Sequence, residues 1–561
     1  MTFGYSLESS LESFIQSNAA PSHDDCTLIK ESLLSLSTKS AQLRDIIAEQ
    51  EEAIAKLSLT LHRYEDSREE MLFEQSRVQN LIERHRQALS SPIWNLPIDI
   101  MREIFFLAST NAADVTDFPW TATHVCREWR AIATQTPTLW SKIHIITNKG
   151  IGLRTYHLTH MHELKSCLSS TPLSKETVGC SKTVGRVLEL SGDVPLVVSF
   201  LQPFAATMKK PVVPDDIKML DLLLDHAPRW KVAYIKFDHF GSGKSFRDRL
   251  RRLRGRAPML ERIAIEVSLY PTETNDFLAV SPQLSTVVMR DYWGDLVFPW
   301  QQIQRLVFNG MHERSYLHDV LRSAQNVEHL TFCPVDVTDH VVVNTGPTHS
   351  IILPAVVTLD LLSDKNILFL SSKIVLPALR QLRVEKGIIT RWRDTDNNWE
   401  THAITPEFMN DVYRLLKSSR CPLTYATFSP IVKFGPVFRK VITLCPTLTY
   451  LDVGFIPPRE DIDGAFSFLN QENILPALRT LKLNFRISNL SEDCPCIGKR
   501  FTETAIKRSK TLRVIMLSLY MIADEEIPDT ALLGATDQAT LENLKAEGMS
   551  VTFRSTTKGR K

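Results

Sequence analysis

The sequence predicts an α/β chain: a long N-terminal helix, a small helical unit, and then an array of short parallel strands. Three observations carry that expectation. No proline lies between Pro21 and Pro92 and no glycine between Gly4 and Gly150, so neither helix breaker interrupts the first stretch. Trp94, Phe105, Phe106, Trp120, Trp129 and Trp140 crowd the segment that follows. From about residue 220 onward, a proline followed by apolar residues two, five and seven positions later recurs toward the C-terminus.

The N-terminal residues 1–23 are expected to be disordered, and 24–90 to form the helix. Ser22 to Asp25 supply cap candidates and first-turn acids. Apolar residues then repeat every seven positions at Ile29, Leu36, Leu43, Leu57, Tyr64, Met71 and Val78; Gln50 interrupts the series and His85 ends it. Partner positions are split between Ile46, Ala53, Leu81 and Leu33, Ile47, Ile54, Leu61, Ile82. The stripe fits a coiled coil or a helical hairpin. It could pack on the chain's own body, form a homodimer through 24–90, or pair with another protein.

Residues 91–146 read as two short helices joined by a polar connection, Ser109 to Asp117. Pro97 suits a first helical turn, where its missing N–H costs nothing, and Asp99 suits the positive end of the dipole. Ile100, Ile104, Phe105 and Ala108 share a face; Val125, Trp129, Ile132 and Ala133 share another; Pro137 stops the second helix before Leu139-Trp140. A unit of about fifty residues cannot bury that much aromatic surface alone, so part of it docks on something else.

Residues 147–219 read as a linker and the start of the array, with an exposed Ser/Thr/Lys-rich loop at 165–184 and a strand and helix within Val187 to Leu201. The array spans 220–540. Its clearest copies are Pro258-Leu260-Ile263-Ile265, Pro282-Leu284-Val287-Met289, Pro354-Val356-Leu359-Leu361, Pro377-Leu379-Leu382-Val384, Pro446-Leu448-Leu451-Val453 and Pro476-Leu478-Leu481-Leu483. Weaker copies are Val327-Leu330-Phe332, Leu423-Ala426-Phe428, Leu512-Ile515-Leu517, Ile303-Leu306-Phe308 and Trp230-Ala233-Ile235. The intervals fall mostly in the range of leucine-rich repeats. In L-x-x-L-x-L the last two apolar residues lie on one side of a strand, and stacked copies form a parallel solenoid with a continuous core. Helical segments such as Phe408 to Lys417 line the other side. Residues 541–561 are expected to form a tail.

Composition and motifs exclude more than they assign. Among 561 residues Lys plus Arg is 65 and Asp plus Glu 64, a net charge of +1, so no global field draws the chain to nucleic acid or an anionic membrane. No apolar stretch is long enough for a transmembrane helix. Nine cysteines, with no apparent signal peptide, point to a reducing compartment, cytoplasmic and/or nuclear. Gly241-Ser242-Gly243-Lys244-Ser245 resembles half a phosphate loop, but Asp238 occupies the position of the required first glycine. His157, His160, His162 and Cys167 match no metal-ligand spacing, and Cys494-Pro495-Cys496 is too tight for a thioredoxin-type pair. Arg247, Arg249, Arg251, Arg252, Arg254 and Arg256 read as the solvated face of a helix that buries Phe246, Leu250 and Leu253. No catalytic residue, cofactor site or metal site is expected.

Leu96-Pro97-x-Asp99-Ile100-x-x-x-Ile104-Phe105, then Val125-Cys126-Arg127-x-Trp129-Arg130-x-Ile132-Ala133, then Leu139-Trp140 together resemble the F-box. Asp99 and Met101 depart from that family's Glu and Leu, and the Leu107 to Thr123 connection is longer than in the shortest F-boxes. A heptad-like helix, an F-box and an irregular leucine-rich array together resemble a large family from mushroom-forming fungi, to which the Leu253 to Glu261 run is also similar. The resemblance implies a substrate receptor of an SCF-type cullin–RING ubiquitin ligase. It would dock on a Skp-type adaptor, and through it on cullin, by Leu96, Pro97, Ile100, Ile104, Phe105, Val125, Cys126, Trp129, Leu139 and Trp140. Ile104 and Trp129 are expected to serve partly the unit's own core.

An unidentified protein substrate would meet the strand surface between the buried leucines. Candidates are Glu261, Arg262, Arg380, Arg383, Thr449, Asp452, Arg479 and Lys482. The alternative is a non-catalytic scaffold that acts through the coiled coil and the repeat surface, without ubiquitin transfer.

Overall fold

The computed structural model describes residues 20, 22–90, 93, 96–147, 180–201, 214–237, 248–267, 275–292, 296–338, 350–362, 374–385, 404–431, 434–455, 460–471, 473–487, 495–522 and 533–558. The chain divides into two compact units, Met1–Pro97 and Ile98–Lys561.

The first unit is one helix, α1 (His23–Ser90), of 68 residues. At 1.5 Å per residue it runs about 100 Å. Ser22 caps it reciprocally: its Oγ accepts the Asp25 N–H at 3.2 Å, and its own N–H donates to Asp25 Oδ2 at 3.2 Å. The helix is unbroken, so the hairpin alternative does not hold. Its stripe residues are exposed, among them Leu36, Leu43, Ile54 and Leu57. Nearly all of residues 1–23 lie outside the described residues.

The second unit opens with three helices, α2 (Ile98–Ala108), α3 (Phe118–Val125) and α4 (Arg127–Thr134). A sheet of 14 strands follows, parallel throughout. Its strands are β1 (Lys142–Ile146), β2 (Leu196–Leu201), β3 (Trp230–Phe237), β4 (Arg262–Val267), β5 (Thr286–Tyr292), β6 (Arg305–Glu313) and β7 (His329–Thr338). After β8 (Ile351–Ile352) come β9 (Thr358–Leu361), β10 (Ile374–Val375), β11 (Gln381–Glu385), β12 (Tyr425–Ile431), β13 (Tyr450–Phe455), β14 (Thr480–Ile487), β15 (Val514–Ile522) and β16 (Ser550–Lys558). Spatial order follows chain order; β8 and β10 pair separately. Between strands lie α5 (Ser181–Leu190), α6 (Pro214–Asp225), α7 (Arg314–Ser323), α8 (Pro406–Ser419), α9 (Pro436–Thr443), α10 (Glu460–Leu469), α11 (Pro495–Lys507) and α12 (Ala535–Ala546).

The register explains the repeat. The middle apolar residue of every copy stacks in one row, and the last stacks in a second: Leu359 pairs with Leu382, then Ala426, Leu451, Leu481 and Ile515; Leu361 pairs with Val384, then Phe428, Val453, Leu483 and Leu517. Both rows are buried. The first apolar residue, such as Leu379, Leu448 or Leu478, is buried in the turn before its strand. Helices cover this face. Phe438 of α9 meets Phe428 at 5.3 Å, Phe466 of α10 meets Phe485 at 5.9 Å, and Phe501 of α11 meets Phe553 at 6.1 Å. Buried Arg508 fastens the connection before β14, donating to the carbonyls of Leu469, Gln471 and Ile474.

Several expectations are corrected. The ladder runs from Lys142 to Lys558, beyond the 147–540 given to the array and its start, because β1 and β16 carry the same two apolar rows without the leading proline pattern. Residues 541–558 are therefore not a tail: α12 buries Leu541 and Leu544, and β16 pairs with β15 along its whole length. Within 165–184, residues 165–179 lie outside the described residues, but α5 begins at Ser181 and buries Val184, Val187 and Leu188. In that stretch the helix comes first and the strand second, the connection being Ser191 to Pro195. The arginine segment is also less solvated than expected. Arg249 and Arg252 both pair with Asp221 of α6, at 3.1 and 2.6 Å, and Arg254 reaches Asp276 at 2.9 Å. The Gly241–Ser245 run, Arg247, His157, His160, His162, Cys167 and Cys494 lie outside the described residues.

Candidate binding faces

The helical unit is fastened by three rings. Phe105 of α2 lies 5.0 Å from Phe118 of α3 and 5.0 Å from Trp129 of α4. Phe105, Leu139 and Trp140 are fully buried. Trp140 donates its ring N–H to the Ala133 carbonyl at 2.8 Å and meets Trp120 edge-on at 5.1 Å. Cys126 caps α4, its Sγ accepting the Trp129 N–H at 3.4 Å. These five residues, proposed from sequence as docking residues, are thus occupied in part or wholly inside the unit. Phe105, Leu139 and Trp140 are corrected outright to core: large rings over so few helices are buried by their own unit and by β1.

What remains exposed is narrower. Ile100 and Ile104 are 49% and 38% exposed, Val125 is 50% exposed, and Leu107, which sequence reasoning did not select, is 72% exposed. Ile100, Ile104 and Leu107 follow the i, i+4, i+7 spacing of one helical stripe. Leu96 and Pro97 belong to the first unit, half-buried and exposed respectively.

The unit also closes the sheet. In the loop after α2, Asn111 behaves like a strand residue: its Nδ2 donates to the His144 carbonyl and its Oδ1 accepts the His144 N–H, each at 2.9 Å. The Ala112 N–H donates to the Lys142 carbonyl at 2.8 Å. Asp117 holds this loop by accepting from the Thr110 N–H and hydroxyl at 2.9 Å and from the Asn111 N–H. The His144 side chain is half-buried, desolvation lowers its pKa to about 4, and its Nδ1 lies 2.8 Å from Ser199 Oγ.

The second face is the side of the sheet opposite the leucine rows. Strand alternation places positions i, i+2 and i+4 there. Over β2–β9 this face carries a buried cluster of Leu201, Tyr234, Ala264, Val288, Val307, Cys333 and Leu362, with Ser199, Thr331 and Asp360 in the same rows. Beside it, Glu266 pairs with Lys236, and with Arg290 at 3.3 Å. Burial alone would raise the Glu266 pKa, but the two cations hold it below the usual range.

Over β11–β14 the same rows are polar and half-buried to exposed, apart from the buried Thr427. Register aligns Arg383, Thr427, Asp452 and Lys482 in one row and Gln381, Tyr425, Tyr450 and Thr480 in the next. Tyr425 and Tyr450 stack with centroids 4.2 Å apart, and Lys482 Nζ sits 5.3 Å from the Tyr450 centroid. Asp452 accepts from Asn484 Nδ2 at 2.7 Å and from the Tyr450 hydroxyl at 3.4 Å; Arg383 donates to Glu385 at 2.7 Å. Desolvation raises the Asp452 and Asp360 pKa values despite neighbouring Lys482 and Arg383. Gly454, in the third row, leaves room for Ser429, whose Oγ lies 2.5 Å from where a Cβ would stand.

The eight substrate candidates therefore separate. Arg383, Asp452 and Lys482 share one row of one face. Arg262 lies on that side of the sheet but far off at β4. Glu261, Arg380, Thr449 and Arg479 precede their strands, and their carbonyls accept the N–H groups of the next repeat. Sequence reasoning missed Tyr425, Tyr450, Glu385 and Asn484, which sit two positions before or after residues in the Arg383–Thr427–Asp452–Lys482 row. Among the described residues no group of three or more His, Cys, Asp or Glu could hold a metal, and no helix is long and apolar enough to cross a membrane. Comparison with protein-family models gives no match, and comparison with curated proteins gives none either.

Proposed function

We propose that the chain is a substrate receptor of an SCF-type ubiquitin ligase, with α2 and its neighbours docking on a Skp-type adaptor and the strand array, a leucine-rich-repeat-like solenoid, binding a protein substrate. The single observation that supports this most is the exposed stripe Ile100, Ile104 and Leu107 on a unit whose rings are otherwise satisfied internally. Such a stripe on a rigid helix suits a protein partner. It belongs to the segment that resembles the F-box. The mechanism is positioning: a substrate lysine is held near ubiquitin and its effective concentration rises. No residue here acts as acid, base or nucleophile.

The test is coexpression with a Skp-type adaptor, followed by size-exclusion chromatography with light scattering. The expected result is a one-to-one complex, abolished by Ile104→Asp together with Leu107→Asp. A folded chain that ignores the adaptor, or a double variant that binds it as well as the parent, would overturn the proposal. In that event the exposed apolar residues of α1 favour the scaffold reading.

A further inference from the structure

We propose that α1 pairs with α1 of a second copy of the chain, in parallel and in register, as a two-stranded coiled coil. From Leu33, alternating steps of three and four residues reach Ile82 through fifteen positions. Eleven of them carry large apolar side chains, exposed by between 40% at Ile82 and 74% at Tyr64. Ile46, Leu72 and Leu81, also exposed, flank this seam. The seam is longer than the about three to four heptads that mark a coiled coil. Two copies bring together more apolar surface than the about 1,600 Å² of a standard interface.

The seam calls for another long helix. On a straight helix a seven-residue repeat drifts by about 20° per heptad, so it keeps to one line only when the helix supercoils around another. Among the described residues the longest other helix is α8, with 14 residues, too short to follow the seam. What singles out a second copy is the four polar seam positions, Ser40, Gln50, Arg68 and Gln75. In parallel register each faces itself. The apolar layers then stay wholly apolar, and each Gln amide meets an amide that both donates and accepts. Arg68 can lay its stem along the seam and keep its guanidinium in water. Ile47, Ile54 and Ile82 fall at a positions and Leu36, Leu43 and Leu57 at d, the choice that favours two parallel strands. Two antiparallel registers also overlap most of the seam. One sets Ser40, Gln50, Arg68 and Gln75 against Met71, Leu61, Leu43 and Leu36; the other sets Glu51 against Glu65 and Gln75 against Leu43. The first gains Lys39–Glu74 and Arg44–Glu65 pairs. Exposed ion pairs contribute little, however, whereas a buried amide facing an alkyl chain loses its hydrogen bonds. The parallel register has one like-charge contact on its flanks, Lys39 beside Arg44 of the other copy.

The experiment is sedimentation equilibrium of the full chain, without adaptor, over a dilution series of the parent, Leu57→Asp and Arg44→Glu. Three and four residues from Arg44 stand Ser40, Ala41, Ile47 and Ala48, so its replacement removes no charge pair of that spacing within the helix. The expected parent has twice the mass of one chain. Leu57→Asp weakens the dimer at least about tenfold. Arg44→Glu turns both like-charge contacts into opposite-charge ones and tightens it about fivefold. Gln50→Cys, under mild oxidation, joins the copies through a disulfide that the parent does not form. A monomer at every concentration, a trimer or larger assembly, or Leu57→Asp that associates like the parent would overturn the inference. Arg44→Glu that leaves the dimer unchanged or weaker, or Gln50→Cys that fails to cross-link, would overturn the parallel pairing. Adaptor binding is a separate outcome. In a ligase the pair binds two adaptors and the ratio stays one to one; a chain that pairs but ignores the adaptor supports the inference while removing the ligase reading.

Discussion

Replacing Asn111 with Ala tests whether the helical unit is built into the sheet or only tethered to it. The Asn111 side chain is 9% exposed and satisfies two backbone groups of His144, both at 2.9 Å, while its Oδ1 also accepts the Ala113 N–H at 3.0 Å. Deleting it strands a donor and an acceptor on the outer edge of β1. A buried polar group without a partner costs about 1–3 kcal/mol, so the two together cost about 2–6 kcal/mol, less whatever water recovers at this partly covered edge. The local reading is hydrogen–deuterium exchange. At the lower figure of about 2 kcal/mol, protection of the His144 amide falls about thirtyfold, whereas amides of Tyr450–Phe455 in the distant β13 keep theirs. A change of less than about threefold at His144, with the variant otherwise folded, would refute the idea that this amide side chain stands in for a neighbouring strand.

Two further outcomes follow from the same region. Phe105→Ala removes a fully buried ring lying 5.0 Å from both Phe118 and Trp129 and should destabilise the unit by about 3–5 kcal/mol in urea titration; a loss below about 1 kcal/mol would contradict the ring cluster. His144, with its folded pKa lowered to about 4 from 6.5 by burial, takes up protons later than the unfolded chain, so its share of stability is full above pH 6.5 and is lost as pH falls toward 4. That share is at most about 3 kcal/mol. Asp216, raised to about 6 by burial and Asp215, acts oppositely, losing stability as pH rises from 3.8 to 6. Stability against pH is therefore measured in an Asp216→Asn background, where His144→Asn should flatten the acid slope; an unchanged slope would count against the desolvated neutral imidazole.

The strand ladder was legible because its chemistry is periodic. Eleven strands correspond to copies visible in the sequence, β3 to β7, β9 and β11 to β15. β2 falls within the strand and helix expected at Val187 to Leu201; those left out are β1 and β16, at the two ends. β16 carries Ser550, Thr552 and Arg554 between its apolar residues and follows Gly548-Met549 rather than Pro-x-Leu. Terminal repeats depart from the consensus because one side of each has no neighbouring repeat to match. The docking stripe was only half legible. Ile104 and Phe105 are adjacent and equally apolar, yet one is 38% exposed and the other 0%, and only the packing of α3 and α4 decides which. On the strand face a usable signal did exist. The residue between the two core positions is Ala264, Val288 and Val307 where the face is closed, and Arg383, Asp452 and Lys482 where it is open. Following that intervening position along successive copies, instead of taking polar residues near each leucine, picks out the apolar run of β4–β6, but Ser199, Thr331 and Asp360 flank that run within β2–β9, so residue type alone does not set the boundary.

The way the sheet begins bears on how a receptor of the proposed kind could work. Positioning raises a rate only if the two bound objects keep a fixed relation, because effective concentration falls as the connection between them loosens. Here the loop that follows the stripe-bearing helix α2 is hydrogen-bonded to β1 as though it were another strand, through Asn111 and Ala112. The Phe105–Phe118–Trp129 rings fix α2 to α3 and α4, and Asp117 ties the loop to the start of α3 through its bond to the Phe118 N–H at 2.7 Å. From β1 the backbone pairing continues without interruption to β16. A partner gripping Ile100, Ile104 and Leu107 is therefore joined to a substrate held on the strand array through hydrogen-bonded and packed elements rather than through a flexible tether. Weakening the Asn111 junction should consequently reduce substrate modification more than it reduces either binding event, and equal losses in all three would show that the junction matters for folding alone.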